Sequence, residues 1–210
     1  MLDQLTIINT LRCDLKCEHC IRGFPRERPD FPMDMLDKLL IEALPFGAKH
    51  VALTGGEPHL HPYFKEMVEK IVNYGYTWHF VSHGQRMEPY LPVVEKHKEK
   101  LSHITLSIDG ATPETHDNIR QRRGTFDKVV HSVKEYVRLG CKVRISTSLN
   151  NKNKGEVEAL LELAHKIGAH GINFAGTTPT SWNAHLVLSD QESLDLYQHI
   201  SQLFRLTEVA

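Results

Sequence analysis

Apolar segments of β-strand character alternate with amphipathic helical segments along the whole chain. The candidate strands are residues 5–11, 50–53, 78–82, 103–108, 142–149 and 172–175. Helical faces recur between them at 36–43, 64–71, 126–133 and 157–164, and a last helix follows a capping box formed by Ser189 and Glu192. Pro89 and Pro92 interrupt the third helical segment. Six β/α units predict an α/β fold with a parallel sheet, either doubly wound or curled into a barrel of fewer than eight strands.

Four motifs follow four successive strands. Three cysteines follow the first strand, residues 54–58 follow the second, 82–84 end the third and 107–110 end the fourth. Loops at the carboxyl ends of parallel strands converge on one rim of the sheet, where ligands bind. The sequence therefore predicts a single functional site on that rim.

Length, charge and hydropathy limit the possible partners. The 210 residues carry 25 Lys and Arg against 26 Asp and Glu, a balance that predicts neither a nucleic acid nor an anionic membrane as partner. No linker or repeat divides the chain, so residues 1–210 are expected to form one domain. Apolar runs are short and Met1-Leu2-Asp3 lacks the basic start of a secretory signal, so a cytoplasmic location is expected.

The cysteines are spaced for metal binding rather than for disulfides. Cys13, Cys17 and Cys20 lie within eight residues, whereas Cys141 stands alone before the fifth strand, where we expect a buried small hydrophobic residue. Three thiolates on so short a loop can hold three irons of a cubane cluster and leave the fourth iron open to a small molecule. The alternative is a zinc site made by the three cysteines and His19.

Residues 13–20, Cys-Asp-Leu-Lys-Cys-Glu-His-Cys, resemble the CxxxCxxC signature of radical S-adenosylmethionine (SAM) enzymes. Gly55-Gly56-Glu57-Pro58 resembles the GGEP motif of the same family, which contacts the amino group of SAM. The resemblance spans residues 5 to about 175. It implies a partial (β/α)6 TIM-like barrel with a [4Fe-4S] cluster on the three cysteines and SAM bound beside Gly55, Gly56 and Glu57.

Further motifs suggest how the rest of SAM is held. Ser107 and Arg120 resemble the SxDG serine and downstream arginine that hold the carboxylate or ribose in family members that modify peptides and cofactors. A guanidinium suits a carboxylate because its planar fork can pair at two points. Ser82 takes the place of a ligand-contacting Ser or Thr of the family, but His83 stands where Asn is common.

Three side chains are candidates by position. His19 takes the place of an aromatic residue that packs on the adenine, with a zinc ligand or a surface side chain as its alternatives. Phe174 ends the sixth strand in the region that contacts adenine, although an aromatic residue there is also typical of a core. Asn150 ends the fifth strand and is a candidate for the ligand or for a turn. His59 and His61, just past the GGEP motif, are candidates for substrate contact.

The resemblance implies that an electron from the reduced cluster cleaves SAM to methionine and a 5′-deoxyadenosyl radical, which abstracts hydrogen from the substrate. A peptide, protein or small molecule is the expected substrate, with a flavodoxin or ferredoxin as reductant. Tetrapyrrole side-chain modification is the alternative within the class, and a non-enzymatic iron–sulfur or zinc-binding module is the alternative outside it. Members that mature peptides usually carry further cysteines for auxiliary clusters, but none follows Cys141, so the chain is expected to be a fragment or a minimal member.

Overall fold

The six strands form one parallel sheet in sequential order. The computed structural model describes residues 2–23 and 27–207, with side chains to residue 204. The strands are β1 Gln4–Thr10, β2 His50–Gly55, β3 Thr77–Ser82, β4 Leu101–Ser107, β5 Val143–Leu149 and β6 Gly171–Gly176. A doubly wound sheet reverses its strand order, whereas this order runs from β1 to β6 without reversal. The predicted partial (β/α)6 barrel is therefore confirmed.

Seven helices accompany the strands in the described part of the chain. They are α1 Met33–Ala43, α2 Phe64–Asn73, α3 Leu91–Lys96, α4 Pro113–Arg120, α5 Thr125–Arg138, α6 Val157–Lys166 and α7 Asp190–Thr207. The α3 helix is short and has Pro92 in its first turn. Ser189 and Glu192 form the expected capping box, because each side chain hydrogen-bonds the backbone N–H of the other. None of the helices in the described ranges is both long and apolar enough to cross a membrane.

The α4 helix is absent from the sequence prediction. It starts with Pro113 after Thr112, whose hydroxyl accepts from the Thr115 N–H at 3.3 Å. Its buried residues are His116, Ile119 and Arg120, two of them polar, so it has no apolar stripe for a periodicity search to detect. The helix places Arg120 at its last position, next to the loop that carries the cysteines.

The main core fills the space between the sheet and the helices. Its largest fully buried side chains include Trp78, Tyr76, Phe80 and Tyr136. Cys141 belongs to this core and is 4% exposed, as expected for a small hydrophobic residue, and burial raises the pKa of its thiol. The core therefore holds the fourth cysteine away from the other three.

Three imidazoles stack at the amino-terminal end of the sheet. The ring centroids of His50 and His79 are 4.8 Å apart, and those of His79 and His103 are 4.2 Å apart. His50 Nε2 lies 2.5 Å from His79 Nδ1. Burial, together with the neighbouring His103, His50 and Arg144, lowers the pKa of His79 to about 3. These rings favour the neutral form in the folded chain.

We expect the stack to make the fold acid-sensitive. Because the folded pKa of His79 is below its unfolded value, the unfolded chain binds more protons, and stability falls as the pH drops below about 6.5. His79→Gln should reduce this pH slope by up to about 1.4 kcal/mol per pH unit. Urea unfolding between about pH 7 and about pH 4 measures the slope. His131→Gln, at an exposed position on α5, is the control, and equal slopes in both variants would contradict the prediction.

Candidate functional site

The three clustered cysteines lie on the loop that follows β1, at the carboxyl-terminal rim of the sheet. All four cysteines of the chain are free thiols. The loop borders a cavity of about 410 Å³. Of the twelve predicted site residues, nine line it: Cys13, Cys17, His19, Cys20, Gly55, Gly56, Ser82, Ser107 and Arg120. The rim therefore brings together most of what the sequence predicts, while Glu57, Asn150 and Phe174 lie outside the lining.

The Gly55-Gly56 turn packs directly on the start of the cysteine loop. A Cβ on Gly56 would stand 2.0 Å from the carbonyl oxygen of Arg12, and one on Gly55 would stand 2.3 Å from that of Thr10. The backbone N–H groups of Gly56 and Glu57 donate to these two carbonyls at 2.7 Å each. The glycines thus let β2 and the loop approach each other, which is a structural requirement beside the predicted contact with the ligand.

Glu57 is buried, and protein groups surround its carboxylate. Oε1 accepts from the hydroxyls of Ser82, at 2.6 Å, and Tyr90, and lies 3.3 Å from His59 Nδ1. Oε2 accepts from the backbone N–H of His83 at 3.0 Å. Burial opposes ionisation, but the electrostatic effect of His83 and the hydrogen bonds outweigh it and hold the pKa of Glu57 below its usual value. Its carboxylate ties the turn after β2 to the end of β3.

A second buried carboxylate, Asp109, pairs with Arg120. Arg120 Nη2 lies 2.6 Å from Asp109 Oδ2, and the backbone N–H of Ser148 donates to Oδ1 at 2.9 Å. His19 Nε2 lies 3.5 Å from the same Oδ2. Burial alone would raise the pKa of Asp109. Arg120 and His19 lower it by more than burial raises it, so the pKa is below its usual value. This carboxylate fixes two of the predicted site residues beside the cavity.

Two polar atoms beside the cavity have no hydrogen-bond partner among the described residues. They are Arg120 Nε and His19 Nδ1, both buried. Arg120 Nη1 also lies 3.7 Å from Cys17 Sγ, which places a cation beside one of the thiols. Buried polar atoms normally have partners, so this pair of atoms is suited to a ligand in the cavity.

Burial also affects the thiols. It raises the pKa of Cys13 to about 12 and that of Cys17 above its usual value, although the Arg120 charge offsets part of the effect at Cys17. Both groups therefore stay protonated in the metal-free chain at neutral pH. Metal binding would have to displace these protons, since a thiolate is the ligand.

His83 connects the end of β3 to the cysteine loop. The backbone N–H of Gln85 donates to His83 Nδ1 at 3.2 Å, so Nε2 carries the proton and donates to Asp14 Oδ1 at 2.7 Å. This hydrogen bond holds the pKa of Asp14 well below its usual value against the opposing effect of burial. The histidine thus has a positioning contact at the place where Asn is common in the family.

Four other candidates have contacts inside the protein. Asn150 donates to the Ser148 carbonyl at 2.9 Å and accepts from the Lys152 N–H at 2.9 Å, which forms a turn after β5. Phe174 is half-buried against the core. His61 Nε2 lies 3.0 Å from the Phe31 carbonyl. His59 contacts Glu57, and neither histidine lines the cavity. Contact of these residues with a ligand stays a prediction.

Sequence reasoning missed several residues of the site. Asp109 lies inside the quoted SxDG motif but was not assigned a role. Ser146 and Ser148 line the cavity from β5, alternating with the buried Ile145 and Thr147. This period-two alternation of small polar and buried residues is the signal that could have identified them. Further lining residues from the cysteine loop are Arg22 and Arg28.

Comparison with known proteins gives consistent matches. The sequence profile of the Radical SAM superfamily matches residues 7–164. The AdoMet-dependent heme synthase of Methanosarcina barkeri is 27% identical over 198 residues, which cover 93% of this chain and 55% of the relative. AlbA, the antilisterial bacteriocin subtilosin biosynthesis protein of Bacillus subtilis, is 25% identical over 167 residues, which cover 79% of this chain and 37% of AlbA.

Solved structures of Streptococcus suis SuiB share the fold. The structure bound to S-adenosylmethionine has a TM-score of 0.82 at 17% identity, and the one bound to precursor peptide SuiA has a TM-score of 0.81 at 18% identity. Each match covers 99% of this chain, and 48% and 47% of the SuiB chain, respectively. The chain therefore spans about half the length of the proteins it matches.

The tight contact at Gly56 predicts a large effect of Gly56→Ala. The added Cβ would clash with the Arg12 carbonyl and force β2 and the cysteine loop apart, which should lower the free energy of unfolding by about 3 kcal/mol. Gly155→Ala is the matched control, because a Cβ there has no neighbour within 4 Å and should cost little. Urea unfolding of both variants measures the difference, and equal losses would contradict the prediction.

The buried ion pair predicts a stability role for Arg120. Arg120→Ala leaves the Asp109 carboxylate buried without its cation, which should lower the free energy of unfolding by about 3–5 kcal/mol. Arg120→Ala combined with Asp109→Asn should recover part of the loss. Arg123→Ala, at an exposed position just after α4, should change stability by less than about 0.5 kcal/mol. The pairing would be excluded as a source of stability if Arg120→Ala and Arg123→Ala unfolded at the same urea concentration.

Proposed function

The chain belongs to the radical SAM superfamily, and on that premise we propose that it holds a [4Fe-4S] cluster on Cys13, Cys17 and Cys20 and binds SAM in the adjoining cavity. The proposal rests mainly on the fact that the cysteines and the candidate ligand-binding residues line one cavity. The three free thiols and the two unpartnered buried atoms, Arg120 Nε and His19 Nδ1, border the same cavity. Thiols for a cluster and unpartnered polar atoms for a ligand are thus present side by side.

The arrangement of the thiols favours a cluster over zinc. Zinc–sulfur bonds of about 2.3 Å in a tetrahedral site bring the ligand atoms within about 3.8 Å of one another. Among the described residues, the metal-ligating side chains that approach one another within 4.8 Å are Cys13, Asp14 and His83, not the three cysteines with His19. Thiolates that bind different irons of a cubane need no such close approach. The imidazole of His19 also faces another partner, because its Nε2 lies 3.5 Å from Asp109 Oδ2.

The polar residues of the lining are suited to the amino acid end of SAM. Arg120 keeps its ion pair with Asp109, so it would offer the ligand carboxylate its Nε rather than a free two-point fork. Ser107 and Ser146 are neighbours across β4 and β5 and add hydroxyls on the same wall. Because the Glu57 carboxylate is already satisfied, we assign it to holding Ser82 and His83 in place, with the backbone of the Gly55-Gly56 turn facing the ligand.

The cluster and SAM, when bound, would supply a 5′-deoxyadenosyl radical through one-electron cleavage of the sulfonium. The protein's part is to position these groups and to keep water away from them. Leu11, Leu15 and Val81 form apolar parts of the cavity wall. The buried Arg120 beside Cys17 would add an N–H donor to a bound thiolate, which favours the charged form of that sulfur.

A peptide or protein is the substrate class that we propose. AlbA is named for bacteriocin biosynthesis, and one SuiB structure contains a precursor peptide, so relatives in both comparisons handle peptides. The second candidate is modification of a tetrapyrrole, which the heme synthase relative favours because its match covers 93% of this chain. The chain would correspond to the SAM-binding core of such enzymes, whether it is a piece of a longer protein or a minimal member.

An electron donor and a reducing compartment complete the proposal. A flavodoxin or ferredoxin would reduce the cluster. The cytoplasm is the location we propose, since a reducing compartment keeps clustered thiols free of disulfides.

Reconstitution with iron and sulfide tests the cluster. The anaerobic protein should bind about four irons and four sulfides. Replacing Cys13, Cys17 and Cys20 together with alanine should abolish the binding, whereas Cys141→Ala, in the core just before β5, should leave it intact. Stoichiometric zinc without labile sulfide in anaerobically purified protein would overturn the cluster assignment.

Product analysis tests the chemistry without knowledge of the substrate. Cluster-loaded protein with dithionite and SAM should slowly release 5′-deoxyadenosine, because solvent or buffer can quench the radical. The triple cysteine variant is the control and should release none. Loaded protein that forms no 5′-deoxyadenosine with several reductants would favour a non-enzymatic iron–sulfur module.

A further inference from the structure

The segment after β6 crosses the rim of the sheet and contacts the cysteine loop. We call residues 177–188 the strap. It lies outside residues 7–164, which the superfamily profile matches. Three strap residues contact three consecutive residues of the loop, and each pair is more than 160 positions apart in sequence. These contacts link the end of the barrel to the residues that carry the thiols.

The contacts fall on the stretch between the second and third cysteines. Trp182 Nε1 donates to the carbonyl of Cys20 at 3.0 Å, and Asn183 Nδ2 donates to the carbonyl of His19 at 3.1 Å. His185 Nε2 lies 2.8 Å from Glu18 Oε1. Two of the three contacts thus fix backbone carbonyls at or next to a cysteine, so they act on the loop whatever its side chains bind.

The strap itself is held firmly. Asn183 is fully buried, and its side-chain oxygen accepts from the Thr180 N–H at 2.7 Å. Asn151, just after β5, donates from its side chain to the carbonyls of His185 and Val187 at 3.2 Å each. The strap can therefore transmit the position of the sheet to the loop.

Trp182 also packs on Gly23, at the end of the cysteine stretch. Gly23 has φ +59°, and a Cβ there would stand 2.9 Å from the indole ring. The indole is 44% exposed, so core packing does not account for its position. The indole ring covers Gly23, which lines the cavity, and the indole N–H donates to the carbonyl of Cys20 on the loop.

We propose that the strap positions the cluster-binding loop, with Trp182 and Asn183 as positioning residues that hold Cys20 and the peptide before it. The proposal rests on the proposed function, because it concerns the cluster that the loop would hold. A loop fixed in advance loses less conformational entropy when its three thiolates bind metal. Loosening the strap should then weaken cluster retention while leaving the barrel folded.

Two variants separate this role from general stability. Trp182→Phe keeps an aromatic ring but removes the N–H, and Asn183→Ala removes the amide that holds the His19 carbonyl. Tyr197→Phe on α7 is the control, since Tyr197 is a similarly exposed aromatic residue without a hydrogen bond to the described part of the cysteine loop. The reconstituted proteins are exposed to an iron chelator, and the loss of the iron–sulfur absorbance is followed.

Loss of one net hydrogen bond corresponds to roughly a 2- to 10-fold change in an equilibrium or rate. We expect iron loss to be faster by about that factor in Trp182→Phe and in Asn183→Ala, and unchanged in Tyr197→Phe. The EPR lines of the reduced cluster should broaden in the first two variants. In the metal-free proteins, amide hydrogen exchange at residues 18–23 should be faster in the same two variants.

Other results would overturn the positioning role. A merely structural role would lower the melting temperatures of the metal-free and cluster-loaded forms equally and leave the EPR lines unchanged. A positioning role would instead reduce the difference in melting temperature between the cluster-loaded and the metal-free form. If the unaltered chain takes up iron but all variants lose it to the chelator at equal rates, the role of the strap is overturned and the proposed function stands. No iron uptake by the unaltered chain would overturn the proposed function, and the role of the strap with it.

Discussion

The ion pair between Asp109 and Arg120 is the interaction on which the site depends. Asp109 is fully buried after β4, and its charge draws the guanidinium of Arg120 from the end of α4 to a position beside Cys17. The same carboxylate accepts from the backbone N–H of Ser148 near the end of β5 and lies near His19 on the cysteine loop. A charge so far from water is tolerated because a cation and a backbone donor compensate it. One buried carboxylate therefore fixes a helix end, a strand end and the cysteine loop relative to one another.

The parallel sheet supplies the other constraint. All strand ends that carry motifs meet at one rim because the six strands are parallel, and the opposite rim receives the ends without motifs. There the stacked His50, His79 and His103 replace the apolar side chains that commonly fill a barrel interior. Neutral imidazoles can pack face to face, but protonation would place like charges in contact. The two ends thus differ in what protonation does: acid destabilises the histidine end, whereas proton loss is needed at the cysteine end before metal can bind.

The sequence predicted the strands, the rim and the cavity lining well because each depends on local pattern. Alternating periodicity locates strands to within a few residues, and strand ends locate motifs. It failed where a side chain's role depends on a distant partner. The ion pair between Arg120 and Asp109 was not predicted, because the two residues come close only where α4 turns back, and that helix has no apolar stripe. Trp182 and Asn183 lie more than 160 residues from the carbonyls they hold, and no pattern near either residue indicates that contact.

Glu57 shows how a motif residue can serve a site through its neighbours. Its carboxylate has donors from Ser82, His83 and Tyr90, so a ligand amino group would have to compete with groups already in place. Replacing such an acid would disturb the ligand all the same, because Ser82 and His83 would lose the contact that fixes their position on the cavity wall. Sequence comparison alone cannot separate these two reasons for a glutamate at this place. The geometry favours the second reason, since the carboxylate lies behind the wall and bonds Ser82 and His83, while the Gly55-Gly56 turn borders the cavity.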